Sequence, residues 1–186
     1  ENYIRTAGTA EMNRRQNEAI WTELKRFFCY LAVMASVFLF LIVFVVQRAD
    51  VYGASMEPAL KDGDILLVDK VSYRWKKPER YDVIVFSYHY QKGRYYTKRI
   101  IGLPGETVQI QDGAVWINGK QLTDDISAEP IQKAGRAEAA ITLGEDEYFV
   151  LGDNRNNSSD SRDTDVGNIK EDDIIGRIWL KIWPVG

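Results

Sequence analysis

The sequence predicts a mostly β domain preceded by a single transmembrane helix. Two observations support this fold class: residues 27–46 form an apolar run without a charge, and from Asp64 onward short β-branched and aromatic runs alternate with turn residues. With ~1.5 Å of rise per residue, a helix over this run spans the ~30 Å hydrocarbon core of a bilayer. The chain therefore divides into a polar segment at 1–26, the transmembrane helix at 27–46 and a β-rich domain at 47–186.

The polar segment suggests how the helix is oriented. Residues 1–11 are interpreted as a processed or engineered tail rather than folded structure. Basic residues are concentrated before the apolar run, with four there against one just after it: Arg14, Arg15, Lys25 and Arg26 against Arg48. By the positive-inside rule the N-terminus lies in the cytoplasm. We expect a single-pass protein of the plasma membrane, in contact with the lipid bilayer, with residues 47–186 outside the cytoplasm.

Two other interpretations of the apolar run are a buried core helix and a cleavable signal peptide. A core helix is expected to have a polar face, which this run lacks. A signal peptide has an apolar run of only about 7–15 residues, followed by a small-x-small cleavage site. A membrane anchor therefore fits the run best.

The β-rich domain is predicted from strand and turn patterns. The expected strands are β-branched or aromatic and lie at 65–68, 81–88, 94–101, 106–110, 114–117, 148–151 and 174–183. Asn118-Gly119 predicts a tight hairpin, and residues 103–105 (Leu-Pro-Gly) predict a second turn. Residues 121–147 are polar and predict a loop-rich insertion with a short helix.

Composition excludes several classes of function. A net charge of -3 gives no electrostatic surface for nucleic acid, so no nucleic-acid partner is expected. The single cysteine, Cys29, excludes an intrachain disulfide and a cysteine metal cluster. The single histidine, His89, is expected in an exposed turn, which disfavours a Ser-His-Asp triad. Neither a cofactor nor a metal is expected.

Ser55 and Lys98 are the candidate catalytic residues. Ser55 lies in a Gly-Ala-Ser-Met-Glu-Pro-Ala stretch, where a serine taken alone is most often a turn residue. Period-two alternation places Lys98 on one strand face with Tyr96 and Ile100. Burial there lowers a lysine pKa, as a general base near neutrality requires. The alternative is that Lys98 or Arg99 extends to solvent.

A third cluster, residues 152–162, follows a predicted strand and is rich in short polar side chains. A calcium loop of the EF-hand kind needs acidic ligands at alternate positions, and Arg155 stands between Asp153 and Asn157 where such a ligand belongs. Two interpretations stay open from the residues alone. The cluster is either a structural polar loop or a loop that orients catalytic groups.

Taken together, these segments resemble the bacterial type I signal peptidases, which are membrane-anchored Ser/Lys endopeptidases that remove signal peptides. The resemblance rests on segments in the same order behind an N-terminal anchor, at 55–58, 63–70, 81–86, 98–106, 152–155 and 160–162. Two positions depart from the family pattern. Ala59 replaces a common threonine, and Gly53 stands where some members have a serine that helps the oxyanion hole.

The resemblance implies a role for each candidate residue. Ser55 is expected to be the nucleophile, its backbone N–H an oxyanion donor, and Lys98 the general base. Gly53 and Ser158 complete the oxyanion and orienting group, with Ser158 fixing the lysine amine. Four further residues are expected to support the site, without an ion pair between Asp160 and Lys98: Asp153, Arg155, Asp160 and Arg162.

The resemblance also implies the function. The chain is expected to be a serine endopeptidase that cleaves the signal peptides of secreted preproteins at small-x-small sites. The first alternative is a catalytically idle signal-peptidase-like partner in pilus assembly or secretion, although the presence of both Ser55 and Lys98 argues against it. The self-cleaving regulatory proteases share the Ser/Lys chemistry, but their role requires a DNA-binding module.

Overall fold

A computed structural model describes the backbone of residues 2–88, 93–126 and 129–183, and the side chains of the same residues except 2–16, 41–46 and 183. The chain forms two compact units, which divide between Phe44 and Val45. The first unit is helical. The second is mostly β, as the sequence predicts.

The helix of the first unit, α1, runs from Asn2 to Val45. The prediction of an unfolded tail at 1–11 is therefore wrong for residues 2–11, because the helix extends through them. Strong helix formers such as Glu, Arg, Gln and Ala recur before the apolar run, and Arg26 pairs with Glu23 one turn away. No helix in the described part of the chain has both the length and the apolarity needed to cross a membrane, so the span expected at 27–46 is not confirmed.

The second unit is built from short strands. In chain order they are β1 (Val46–Asp50), β2 (Ile65–Asp69), β3 (Val83–Ser87), β4 (Tyr95–Gly102), β5 (Thr107–Gln111), β6 (Ala114–Ile117), β7 (Lys120–Gln121), β8 (Ile141–Thr142), β9 (Glu147–Leu151), β10 (Ile169–Lys170) and β11 (Ile174–Trp183). Between them, the described residues include short 3₁₀ helices at Ser72–Arg74, Gly135–Glu138 and Glu171–Asp173.

The strands form two antiparallel sheets. The larger has the order β1-β2-β11-β3-β4-β9-β10, and the smaller has the order β7-β6-β5-β8. One apolar cluster joins the two sheets through Ile101, Val108 and Phe149. A second cluster packs Ile84, Phe86 and Val150 within the larger sheet. Strand β4 contributes to both clusters and is therefore surrounded by core.

The predicted strands correspond to β2, β3, β4, β5, β6, β9 and β11. Strand β3 begins later than predicted, because Tyr81 has a positive φ of 72° and interrupts the extended backbone. The Asn118-Gly119 hairpin is confirmed by φ angles of 51° and 75°. The predicted insertion contains a short 3₁₀ helix and β8. His89 and its expected turn lie outside the described residues.

Gly102→Ala is expected to destabilise the β domain. A methyl group at this position meets Val108 Cγ2 at 2.5 Å and Leu143 Cδ1 at 2.8 Å, closer than real contacts allow. Overpacking of this kind costs about 1–3 kcal/mol of unfolding free energy, measurable by chemical denaturation. Gly144→Ala is the matched control, because its nearest neighbour is Glu147 Cγ at 3.4 Å. Equal stability of the two variants would contradict the packing argument.

Candidate functional site

Ser55 lies in the loop that joins β1 to β2. The base of the loop is closed by backbone hydrogen bonds, in which Val51 N–H donates to Asp64 O (2.9 Å) and Gly63 N–H donates to Val51 O (3.0 Å). Met56, directly after Ser55, is 1% exposed and packs with Leu60 in the apolar cluster under the loop. The side chain after the serine thus anchors the loop.

The backbone before Ser55 is held by an aspartate. Gly53 has a φ of 81°, a conformation that favours glycine, and its N–H donates to Asp62 Oδ1 at 2.7 Å. Among the described residues, none accepts a hydrogen bond from the Ser55 N–H. This N–H is therefore available to a ligand, whereas the Gly53 N–H is already bonded.

Lys98 lies in the middle of β4, opposite Ile84 of β3. It is only 5% exposed, and Ile100 on the same strand face is fully buried. Its Nζ lies 2.8 Å from Ser55 Oγ and 3.1 Å from the Thr97 carbonyl oxygen. The sheet thus brings together two residues that are 43 positions apart in the chain.

Burial lowers the pKa of Lys98 to about 8, because the charged ammonium loses its hydration. The carboxylates of Asp160 and Asp153 act in the opposite direction and raise this pKa. Each carboxylate is paired with an arginine, as described below. Lys98 is therefore neutral for an appreciable fraction of the time near neutral pH.

The polar loop at 152–162 is held by buried ion pairs. Asp153 forms a bidentate pair with Arg99, at 2.8 and 2.6 Å. Asp160 pairs with Arg162 at 2.8 Å and also accepts the Gly152 N–H at 3.0 Å. No ion pair joins either aspartate to Lys98.

Arg155 connects the polar loop to the insertion. Its guanidinium is almost fully buried, donates to the Gly152 carbonyl oxygen, and pairs with Asp125. The four residues expected to support the site are therefore all buried and charge-paired. The pairing partners Arg99 and Asp125 are not identified as site residues by the sequence patterns.

Asn154 links the polar loop to the loop that carries Ser55. Its backbone N–H donates to Ser55 O at 3.1 Å, and its side-chain Nδ2 donates to Ala54 O at 3.1 Å. Sequence reasoning missed Asn154 as a site residue, although it lies within the recognised polar cluster. Only its contact with a residue 100 positions earlier reveals this role.

Ser158 lies close to the Ser55 backbone but does not make its predicted bond to Lys98. Its Oγ is buried and has no hydrogen-bond partner within the described part of the chain. The position is tightly enclosed, since a methyl group on Gly152 would lie 2.2 Å from Ser158 Oγ and 2.5 Å from Ser55 O. Gly152 therefore permits the polar loop and the Ser55 backbone to approach each other.

A groove of about 640 Å³ opens beside Ser55 and Lys98. Residues of β1 line one wall and the first half of β4 lines another. The described residues contain no group of three His, Cys, Asp or Glu side chains that could hold a metal ion.

Comparison with known proteins identifies the family. Residues 21–183 match the family model described as "Signal peptidase, peptidase S26". The chain belongs to this family. It is 34% identical over its whole length to the Synechocystis protein named "Probable signal peptidase I-2", and it covers 83% of that protein. It is also 39% identical, over 76% of its length, to signal peptidase I of Leptolyngbya laminosa, and it covers 71% of that protein.

A solved structure is also similar. The crystal structure of a signal peptidase I from Enterococcus faecalis is 36% identical, with a TM-score of 0.46, over 55% of this chain and 97% of that one. Membership of the family makes the chain a serine endopeptidase with signal peptidase activity. None of these matches favours the alternative of an idle assembly partner.

Gly152→Ala is expected to reduce the rate of preprotein cleavage by about 10²-fold. The added methyl group pushes Ser158 and the Ser55 backbone apart, and a displacement of about 1 Å at a catalytic group can lower the rate by this factor. The rate of cleavage by purified protein in detergent measures the effect. Gly144→Ala serves as the control for a methyl group added without a close contact. Wild-type activity in Gly152→Ala would contradict the tight approach.

Proposed function

We propose that the chain cleaves signal peptides by attack of Ser55 Oγ on the scissile carbonyl carbon, with Lys98 as the general base. The observation that carries this proposal is the 2.8 Å separation of Lys98 Nζ and Ser55 Oγ in a buried site. A serine hydroxyl is a weak nucleophile until an adjacent base takes its proton. Lys98 is the basic side chain within hydrogen-bond reach of this hydroxyl among the described residues.

In the first step, neutral Lys98 accepts the Ser55 proton as Oγ bonds to the carbonyl carbon. The Ser55 N–H then donates to the developing oxyanion, an interaction typically worth about 2.7–4 kcal/mol per donor. Gly53 contributes through its left-handed conformation, which shapes the loop, since its own N–H already donates to Asp62. The Lys98 ammonium next protonates the leaving amine, and the resulting acyl-enzyme is hydrolysed by water.

The buried ion pairs support this chemistry, because they pair the carboxylates with arginines and not with the amine. A free carboxylate beside Lys98 would favour the ammonium and remove the base. Arg99 and Arg162 compensate the charges of Asp153 and Asp160 instead. Ser158, whose Oγ has no hydrogen-bond partner among the described residues and lies near the Ser55 backbone, is proposed to contact Lys98 when substrate is bound.

The proposed substrates are the signal peptides of secreted preproteins, bound in extended form along the groove, with small residues before the cut. We further propose that residues 27–46 anchor the enzyme in the plasma membrane, with the N-terminus cytoplasmic and the β domain outside. The uncharged apolar run and the basic residues before it support this arrangement. Signal peptides emerge from the same membrane, so the anchor places enzyme and substrate together.

Ser55→Ala and Lys98→Arg are each expected to lower the cleavage rate by at least about 10³-fold. The first removes the nucleophile, and the second replaces the base with a group that stays protonated. Cleavage of a preprotein in detergent, followed by gel electrophoresis, measures both. Ser87→Ala is the control for loss of a half-buried hydroxyl elsewhere in the sheet. Full activity of Ser55→Ala would exclude the proposed mechanism.

The pH dependence of kcat/KM is expected to follow Lys98. The amine is protonated and inactive as a base below its pKa, so activity rises as the pH passes about 8 and levels off above it. Initial rates between about pH 6 and 10 give this profile. A plateau already reached at pH 6 would contradict a base with this pKa.

A further inference from the structure

Tyr96 presents its aromatic ring to the amine of Lys98. The two residues lie on the same face of β4, two positions apart, and Lys98 Nζ is 5.4 Å from the centre of the Tyr96 ring. A cation within about 6 Å of a tyrosine ring face is attracted by the negative charge of that face. The contact lies beside Ser55, inside the groove wall.

Other aromatic residues hold the Tyr96 ring in place. Tyr88 stacks on it, with ring centres 4.8 Å apart and planes 20° apart. Phe86, opposite Tyr96 in the strand register, meets it edge to face at 6.1 Å. Such pairs favour a defined ring orientation. The ring that faces Lys98 is therefore held by Phe86 of β3 and by Tyr88, which directly follows that strand.

The charged groups around the Lys98 amine determine what can stabilise its ammonium form. Among the described residues, the carboxylates that act on Lys98 are Asp160 and Asp153, and both are already paired with arginines. Arg94 is the other cation near the Tyr96 ring, at 5.5 Å from its centre. When Lys98 takes the serine proton, a positive charge forms on a side chain that is only 5% exposed.

We propose that Tyr96 is a positioning residue that holds Lys98 Nζ toward Ser55 and stabilises its ammonium form during the reaction. This rests on the proposed Ser55–Lys98 dyad. The ring stabilises the ammonium as a carboxylate stabilises the imidazolium of a catalytic histidine, but its face carries only a partial negative charge. A carboxylate would keep the amine protonated at rest, whereas the weaker attraction of the ring leaves a neutral base available.

The proposed role and a purely structural role predict opposite shifts in the pKa of Lys98 when the ring is lost. Loss of the ring removes a stabilising contact with the cation, so the pKa of Lys98 falls and the acid limb of kcat/KM moves to lower pH. If Tyr96 only kept water out, its loss would hydrate the amine and raise the pKa toward the ordinary lysine value. The direction of the shift therefore separates the two roles.

The test compares Tyr96→Leu, which keeps an apolar side chain, with Tyr96→Phe, which keeps the ring. In Tyr96→Leu we expect the limb to move down by about 0.5–1 pH unit and the plateau of kcat to fall by about threefold to tenfold. Tyr96→Phe is expected to stay within about twofold of wild type. An upward shift, an unchanged profile, or equal defects in the two variants would overturn the proposal.

A titration independent of activity completes the test. NMR of the full chain labelled with ¹³C at the lysine ε-carbons, in the Ser55→Ala background, follows Lys98 directly, with Lys98→Met assigning its signal. Tyr96→Leu is expected to lower this pKa, and an unchanged or raised pKa would refute the contact. Full cleavage by Ser55→Ala or Lys98→Arg would instead reject the dyad, while this titration still decides whether the ring stabilises the ammonium.

Discussion

The burial of one lysine amine is the constraint on which the site depends. Lys98 is only 5% exposed, and burial lowers the pKa of its amine to about 8, because the ammonium loses its hydration. A nearby unpaired carboxylate would cancel the effect. The buried pairs Arg99–Asp153 and Asp160–Arg162 keep such charges compensated, and the apolar face of β4 supplies the dry surroundings.

The sheet order explains why so many contacts hold the loop that carries Ser55 between β1 and β2. Ser55 precedes β2 and Lys98 lies on β4, with β11 and β3 between those strands. The loop nevertheless places Oγ 2.8 Å from Nζ, although these strands are not neighbours in the sheet. Asn154 ties it to the polar loop, and the buried Asp64 at its base pairs with Lys181 of β11 at 2.8 Å. The last strand of the domain thus helps to fix its first functional segment.

The sequence predicts what is encoded locally. Strand alternation places Lys98 beside Ile100, and the Asn118-Gly119 pair predicts its hairpin. Strand β1 is missed because its first residue continues the apolar run, and the short strands β7, β8 and β10 have two residues each, too few for a period. Asn154 and Asp125 act through contacts 100 and 30 positions away, which no local pattern encodes. The orientation of Ser158 likewise depends on side-chain packing around Gly152.

Through the ion pair between Asp125 and Arg155, the insertion at 121–147 helps to stabilise the polar loop. Asp125 belongs to a segment that looks replaceable, since it is polar and loop-rich, yet it neutralises an arginine buried beneath the polar loop. Removing one partner of a buried pair leaves an uncompensated charge. Chimeras that exchange this segment between relatives must therefore keep an acidic residue that pairs with Arg155. Deletions that shorten the segment are expected to destabilise the polar loop at 152–162, although that loop lies outside the deleted residues.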